Sequence, residues 1–279
     1  MPELPEVETV RAGLAASVTG KRLLAVDQRR KDLRVPFPAD FVKRLAGRWL
    51  IEVSRRGKYL LWTFDDDTVL LAHLGMSGRM MVRHGAAVPT RGSHEHVAFQ
   101  FEDDVWVTFA DPRRFGLMTL TTRGDAARHP LLAAMGPEPL EDAFDAVYVR
   151  GAFKGRRAPL KNALMDQRLI AGLGNIYVCE ALFRARLSPF RAAGSLTAAT
   201  AARLVRAIRA VLQDAIAAGG SSLRDYVQAS GELGLFQHRW GVYGREGKKC
   251  PDCKPSWRCS VTRSVQGGRS TFYCPRRQR

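Results

Sequence analysis

Acidic residues are in short supply. The 279-residue chain sets 27 Asp and Glu against 44 Lys and Arg, a net charge of +17. A merely solvated surface does not need that excess, whereas a polyanionic partner, most simply nucleic acid, does. Long apolar runs are also lacking: none reaches the roughly 20 residues that span a bilayer. The opening "MPELPEVE" is acidic where a secretory leader is basic. Both absences point to a soluble, cytoplasmic protein with no membrane role. Cysteine is sparse, five in all, and four of them (Cys250, Cys253, Cys259 and Cys274) fall within 25 residues. Without a leader, that cluster reads as a metal site rather than a disulfide framework, and the lone Cys179 reads as core. There is no internal repeat and no low-complexity tract.

The charge is uneven. Residues 236–279 hold 11 Lys and Arg and only 2 acids. This stretch is rich in Gly, Pro and Cys, so it is no basic amphipathic helix for a membrane surface. Upstream, Val7, Val10, Leu14 and Val18 recur at helical spacing behind Pro5, which suits a first helical turn because its missing N–H would be unpaired there anyway. Residues 48–122 read as strands, with "DDD" and "EDD" as turns, and their antiparallel character predicts a two-layered sheet structure. "GPEPLED" reads as a linker. Beyond it "APLKNALMDQRLI" and "NIYVCEALFRARL" predict helices either side of "AGLG". "TAATAARLVRAIRAVLQDAIAAGG" predicts a long helix with the stripe Leu204, Ile208, Leu212 and Ile216, stopped at Gly219.

Several short stretches have two readings each. Pro2 and Glu3 either start a helix or, once Met1 is removed, supply a secondary amine and a proton donor. An α-amino group titrates near pH 8, so a useful fraction is neutral and can attack an aldehyde-like carbon to give a Schiff base. "HLGMSGR" and "DPRRFG" are either plain turns with core Met76 and Phe115, or loops whose Met76, Arg113 and Phe115 fill the gap left by an extruded base. "AGLGN" is a tight turn or a phosphate-binding helix start with Asn175 as N-cap. "GGRSTFYC" is a hairpin carrying Arg269, either solvated or presented to a phosphate.

Eight segments in order, "MPELPEVETVR", "RRGKYLLW", "HLGMSGR", "DPRRFG", "LMDQRLIAGLGNIYVCEALF", "LRDYVQASGELG", "VYGREG" and "GGRSTFYCP", resemble the bacterial formamidopyrimidine-DNA glycosylases from residue 1 to residue 275. The resemblance implies an α+β fold: a two-layered β-sandwich with flanking helices (1–135), a helix–two-turn–helix domain with a lesion loop (136–235) and a β-hairpin zinc ribbon (236–279). It implies a bifunctional repair enzyme acting on double-stranded DNA, which would lie in the basic cleft between the domains. Such an enzyme excises oxidised purines such as 8-oxoguanine and formamidopyrimidines and cuts the strand by β,δ-elimination.

Matched position by position, Pro2 would be the Schiff-base nucleophile and Glu3 would protonate the sugar. Lys58 would donate a proton in β-elimination, and Arg269 would serve δ-elimination. Met76, Arg113 and Phe115 would fill the void, and Asn175 would touch the phosphates that flank the lesion. His73, His94, Arg156, Arg157, Lys161 and Tyr243 match further DNA-contacting or basic positions. The loop around 221–236 would cover the flipped base. A monomer suffices, and no nucleotide cofactor is needed. The alternatives are a relative of the endonuclease VIII type that prefers oxidised pyrimidines, or a non-catalytic zinc-ribbon DNA-binding protein.

The ribbon departs from the family pattern. Cys250, Cys253 and Cys274 match three zinc ligands, but Arg277 stands at the fourth position, and a guanidinium cannot ligate a cation. Three arrangements remain open. Cys259 replaces the missing ligand, or water or His238 completes a three-cysteine site, or a metal-free ribbon is held by packing of Trp257, Phe272 and Tyr273. Arg276, Arg277 and Arg279 would then be free to add phosphate contacts.

Overall fold

The first helix shows how directly the chain dictates its own start. In the computed structural model, which describes residues 2–85, 92–222 and 227–279, helix α1 runs over Leu4–Val18 with Glu3 as N-cap. The Glu3 backbone N–H donates to Glu6 Oε2 at 2.9 Å, the return half of a capping box, and Pro5 sits in the first turn. Val7, Val10, Leu14 and Val18 are fully buried along one stripe.

That stripe enters the core of two antiparallel four-stranded sheets. One has the order β1–β6–β7–β5, built from β1 (Leu23–Gln28), β5 (Arg79–His84), β6 (Glu95–Phe101) and β7 (Val105–Ala110). The other has the order β2–β3–β4–β8, from β2 (Leu50–Arg56), β3 (Tyr59–Phe64), β4 (Thr68–His73) and β8 (Leu117–Thr122). Trp62 of β3 meets Phe99 and Phe101 of β6 with ring centroids 5.0 and 6.0 Å apart, so the sheets pack face to face as a sandwich. The short helix α2 (Phe41–Leu45) adds Phe41 and Leu45 to this core. Strand β1 carries the burial pattern of only a half-hidden edge, and it lies outside the span that reads as strands in the sequence.

The chain forms two compact units. The first comprises 1–133 with 216–237, and the second comprises 134–215 with 238–279. The second holds α3 (Ala146–Phe153), α4 (Leu160–Leu164) and α5 (Asn175–Arg184), most of α6 (Ala198–Ala217), and the hairpin β9 (Thr262–Gln266) and β10 (Arg269–Tyr273). Leu204, Ile208 and Leu212 of α6 are fully buried, Ile216 is half-buried, and Gly219 adopts φ +74 just past the helix end. Helix α4 is only five residues long: after Leu164 the chain turns, and Met165 N–H bonds back to Lys161 and Asn162. No helix among the described residues is long and apolar enough to cross a membrane.

Candidate functional site

At the head of α1, Pro2 is buried and Glu3 is only 4% exposed. Glu6 ties this end down twice, since its Oε2 takes the Glu3 N–H and its Oε1 takes the Ser221 N–H at 2.8 Å. The carboxylate thereby links the start of the chain to the loop that follows α6. In the sequence Glu6 reads only as one of three acids near the positive end of the helix, although its place three residues after an acidic N-cap is a legible capping signal. Residues 223–226 of the expected lesion loop lie outside the described residues, as does Met1.

Lys58 lies in the turn between β2 and β3 and is buried. His73, paired in register with Tyr59, packs on that ring at 4.8 Å, and its Nδ1 accepts the Gly75 N–H at 2.9 Å. Burial, reinforced by Lys58 and Arg34, depresses His73 to about 4, so the ring is neutral at physiological pH. A neutral imidazole keeps one N–H to donate, so the lowered value removes only a cationic role for His73.

Two exposed apolar side chains stand on neighbouring turns: Met76, 38% exposed, and Phe115, 46% exposed. The Arg113 guanidinium lies 4.6 Å over the Phe115 ring. The turns touch so closely that a Cβ on Gly75 would fall 2.4 Å from Phe115 C and Gly116 N. Beneath them Asp111, fully buried, accepts from Ser77 Oγ at 2.6 Å and from Gly116 N at 2.8 Å. Sequence reading named neither Ser77 nor Asp111. His94 is exposed and adopts φ +61, with its carbonyl accepting from Asp111 N.

In the second unit Arg156 and Arg157 are exposed, as a phosphate-binding role requires. Lys161 is not. It is fully buried, and its Nζ donates to Ser270 O at 3.0 Å and to Thr271 Oγ1 at 2.7 Å. The expected DNA-contacting lysine is instead a strut between α4 and the hairpin. Asn175 likewise differs from expectation: Gly174 is the N-cap, and Asn175 Nδ2 donates to Ser270 O at 2.9 Å and reaches Tyr243 at 3.5 Å. Tyr243 is half-buried, edge-on to Trp240 and Phe272. Lys161 and Asn175 thus meet on the residue next to Arg269. Arg269 itself is exposed after the Gly267–Gly268 turn and lines a cleft of about 220 Å³ with Asn162, Met165, Asp166, Gln266 and Gly267.

The hairpin rests on a small buried cluster with the four cysteines at its centre. Glu180 of α5 braces its entry by accepting the N–H groups of Gly241, Val242 and Tyr243 at 2.8–3.0 Å. Burial nonetheless raises this carboxyl above its usual range. The thiols of Cys250, Cys253 and Cys274 lie within 4.8 Å of one another, a set that could hold a metal ion. Cys253 and Cys274 Sγ are 3.6 Å apart, and Cys259 Sγ is 3.4 Å from Cys274 Sγ. Burial pushes the Cys250 and Cys253 thiols up. Burial opposes ionisation at Cys274 too, but backbone N–H groups of Arg277 and Arg276 and the neighbouring thiols outweigh it and lower its value. Arg277 turns aside to Asp252 at 3.7 Å, which accounts for a cation beside the cluster without making it a ligand.

Comparison with known proteins sets this geometry in a family. The model of the formamidopyrimidine-DNA glycosylase N-terminal domain matches residues 1–118, and that of the formamidopyrimidine-DNA glycosylase H2TH domain matches residues 135–227. A formamidopyrimidine-DNA glycosylase of Rhodospirillum rubrum is 56% identical over 281 residues, covering the whole of both chains. Among solved structures, the MutM (Fpg) protein of Thermus thermophilus is 45% identical with a TM-score of 0.86, covering 99% of this chain and 98% of that one. A Lactococcus lactis Fpg variant in complex with Fapy-dG-containing DNA is 33% identical with a TM-score of 0.89, over all of both chains.

Proposed function

The chain belongs to the formamidopyrimidine-DNA glycosylase family, and from that premise we propose a base-excision enzyme with two activities. It excises oxidised purines, 8-oxoguanine and formamidopyrimidines, from double-stranded DNA, and it then cleaves the strand at the abasic site by β,δ-elimination. The observation that carries this reading is the head of α1. A proline and a buried acid stand side by side there, with the acid's backbone pinned by Glu6.

With Met1 removed, the neutral Pro2 amine attacks C1′ of the damaged nucleoside while Glu3 protonates the sugar, and the base departs. The resulting iminium acidifies the C2′ proton, so elimination needs only modest acid–base help. Lys58 supplies the proton donor for β-elimination, and Arg269 serves the second elimination. Met76, Arg113 and Phe115 occupy the space of the extruded nucleotide. Exposed His94, Arg156 and Arg157 bind phosphates, so affinity falls steeply with salt. Lys161, Asn175, His73 and Tyr243 act behind this surface by holding the groups that meet DNA.

A structural zinc ion fits the cysteine cluster, held by Cys250, Cys253 and Cys274 with Cys259 in the place the family gives to a fourth cysteine further on. Three mutually close thiols support this, and so do the 3.4 Å approach of Cys259 Sγ to Cys274 Sγ and the 3.2 Å bond from Cys250 N to Cys259 O that brings the two segments together. When bound, zinc supplies cross-linking rather than chemistry.

Borohydride trapping with an 8-oxoguanine:C duplex tests the enzymatic reading. A covalent adduct at Pro2 is expected. No adduct, or excision of thymine glycol in preference to 8-oxoguanine, would reject it. Metal analysis tests the ribbon: zinc in equal amount to the chain is expected, and a Cys259→Ser variant with undiminished zinc affinity would remove Cys259 from the ligand set.

A further inference from the structure

Met76 sits on one turn and Arg113 and Phe115 on another, 37 and 39 positions further along the chain, yet an opened duplex would have to meet them together. Two flexible loops would each lose conformational freedom on insertion and would enter in many arrangements. The structure has a device that removes this freedom. Asp111 follows β7 directly with its side chain fully buried, and its two oxygens serve different turns. Oδ1 takes the Ser77 hydroxyl of the Met76 turn at 2.6 Å, and Oδ2 takes the Gly116 N–H of the Phe115 turn at 2.8 Å. The same Ser77 oxygen accepts the Arg113 N–H at 3.2 Å, so the two turns are cross-linked in both directions. The Asp111 carbonyl is held by His96 Nε2 at 2.8 Å and closes a turn to Arg114, which adopts φ +58. Glycine at 75 and 116 lets the two backbones close to a distance that no Cβ permits.

We propose that Asp111 and Ser77 are positioning residues that weld the Met76 turn and the Arg113–Phe115 turn into one preformed wedge. This rests on the reading that Met76, Arg113 and Phe115 enter the duplex. A polar node sets direction as well as distance: each bond orients one turn relative to the other. Asp111 itself is fully buried.

The test compares single-turnover excision from an 8-oxoguanine:C duplex with borohydride trapping on a single-stranded oligonucleotide carrying an abasic site, where no helix has to be opened. Ser77→Ala preserves the fold's volume and is expected to slow duplex excision by about tenfold, since a displacement of about 1 Å in a positioned group costs up to a hundredfold. Single-strand trapping should stay within about twofold of wild type. Asp111→Asn keeps one acceptor and should fall between Ser77→Ala and Asp111→Leu. Equal losses on both substrates would overturn the proposal, because they would mark a general weakening of the sandwich. Unchanged duplex excision in Ser77→Ala and Asp111→Asn, alongside a loss in Met76→Ala and Phe115→Ala, would overturn it while sparing the wedge. Unchanged excision in Met76→Ala and Phe115→Ala would remove the wedge reading itself and this inference with it.

Discussion

The two ends of the chain carry candidate site residues in opposite settings. Glu3 is buried at the cap of a helix whose inner face enters a core of Trp62, Phe64, Phe99, Phe101 and Phe109. Arg269 is exposed on a two-stranded hairpin, and the cluster below it is mostly thiol: Cys179, Cys250, Cys253, Cys259 and Cys274 with Phe183, Val242 and Val261. A thick apolar core can hold a backbone in place unaided, whereas a hairpin of ten residues in two strands buries too little for that. The ribbon therefore relies on directional contacts from elsewhere, which are Lys161 and Asn175 on Ser270, Glu180 on residues 241–243, and the cysteine cluster. On the proposed mechanism, the chemistry that needs a desolvated amine and acid falls on the stiff region, and the phosphate binding, which tolerates exposure, falls on the stapled one.

The sharpest way to break this contrast is at Pro2. Pro2→Gly, or retention of Met1, should lower the yield of borohydride-trapped adduct by about a thousandfold. The melting temperature should hardly move, because the cap is made by Glu3 and Glu6. A comparable loss of stability would mean that Pro2 is structural.

Metal removal should act on the other region. Chelation is expected to weaken DNA binding by about a hundredfold and to abolish hydrogen-exchange protection over β9 and β10 while sparing β3 and β6. Protection lost equally in all four strands would erase the distinction.

Acid should discriminate in the opposite sense. His73 titrates at about 4 in the folded chain against an ordinary 6.5. As pH falls below 6.5 the unfolded chain takes up a proton that the folded chain refuses, so stability declines towards pH 4 and then levels off. The loss is on the order of 3 kcal/mol. Chemical denaturation across that range should show it, and His73→Gln should flatten the slope. An unchanged slope in the variant would assign the acid sensitivity elsewhere.

The smallest effect expected is at Lys161. Lys161→Met should reduce δ-elimination product by about tenfold through loosening of the Arg269 hairpin, with Schiff-base trapping unchanged. Loss of trapping in step with δ-elimination would show that Lys161 serves the whole fold.

Much of this was readable before folding. The helix stripe Val7, Val10, Leu14 and Val18, the strand runs between 48 and 122, and the Gly-Gly hairpin before Arg269 all follow from local periodicity and turn chemistry, which neighbouring residues set by themselves. Strand β1 was not readable, because its alternation is diluted by exposed Leu24 and Ala25. Nor was the turn after Leu164, where apolar spacing continues although the helix stops.

The sequence by itself determined the family, the α+β layout, the basic character and the residue types at the reactive positions. Only the tertiary structure decided which polar groups face solvent and which are spent inside. Lys161 and Asn175 read as surface chemistry in one dimension, yet each is turned inward onto a partner 95 to 110 positions away. A charged or amide side chain is indifferent to burial until its hydrogen bonds are met, and whether they are met depends on which distant segment folds against it.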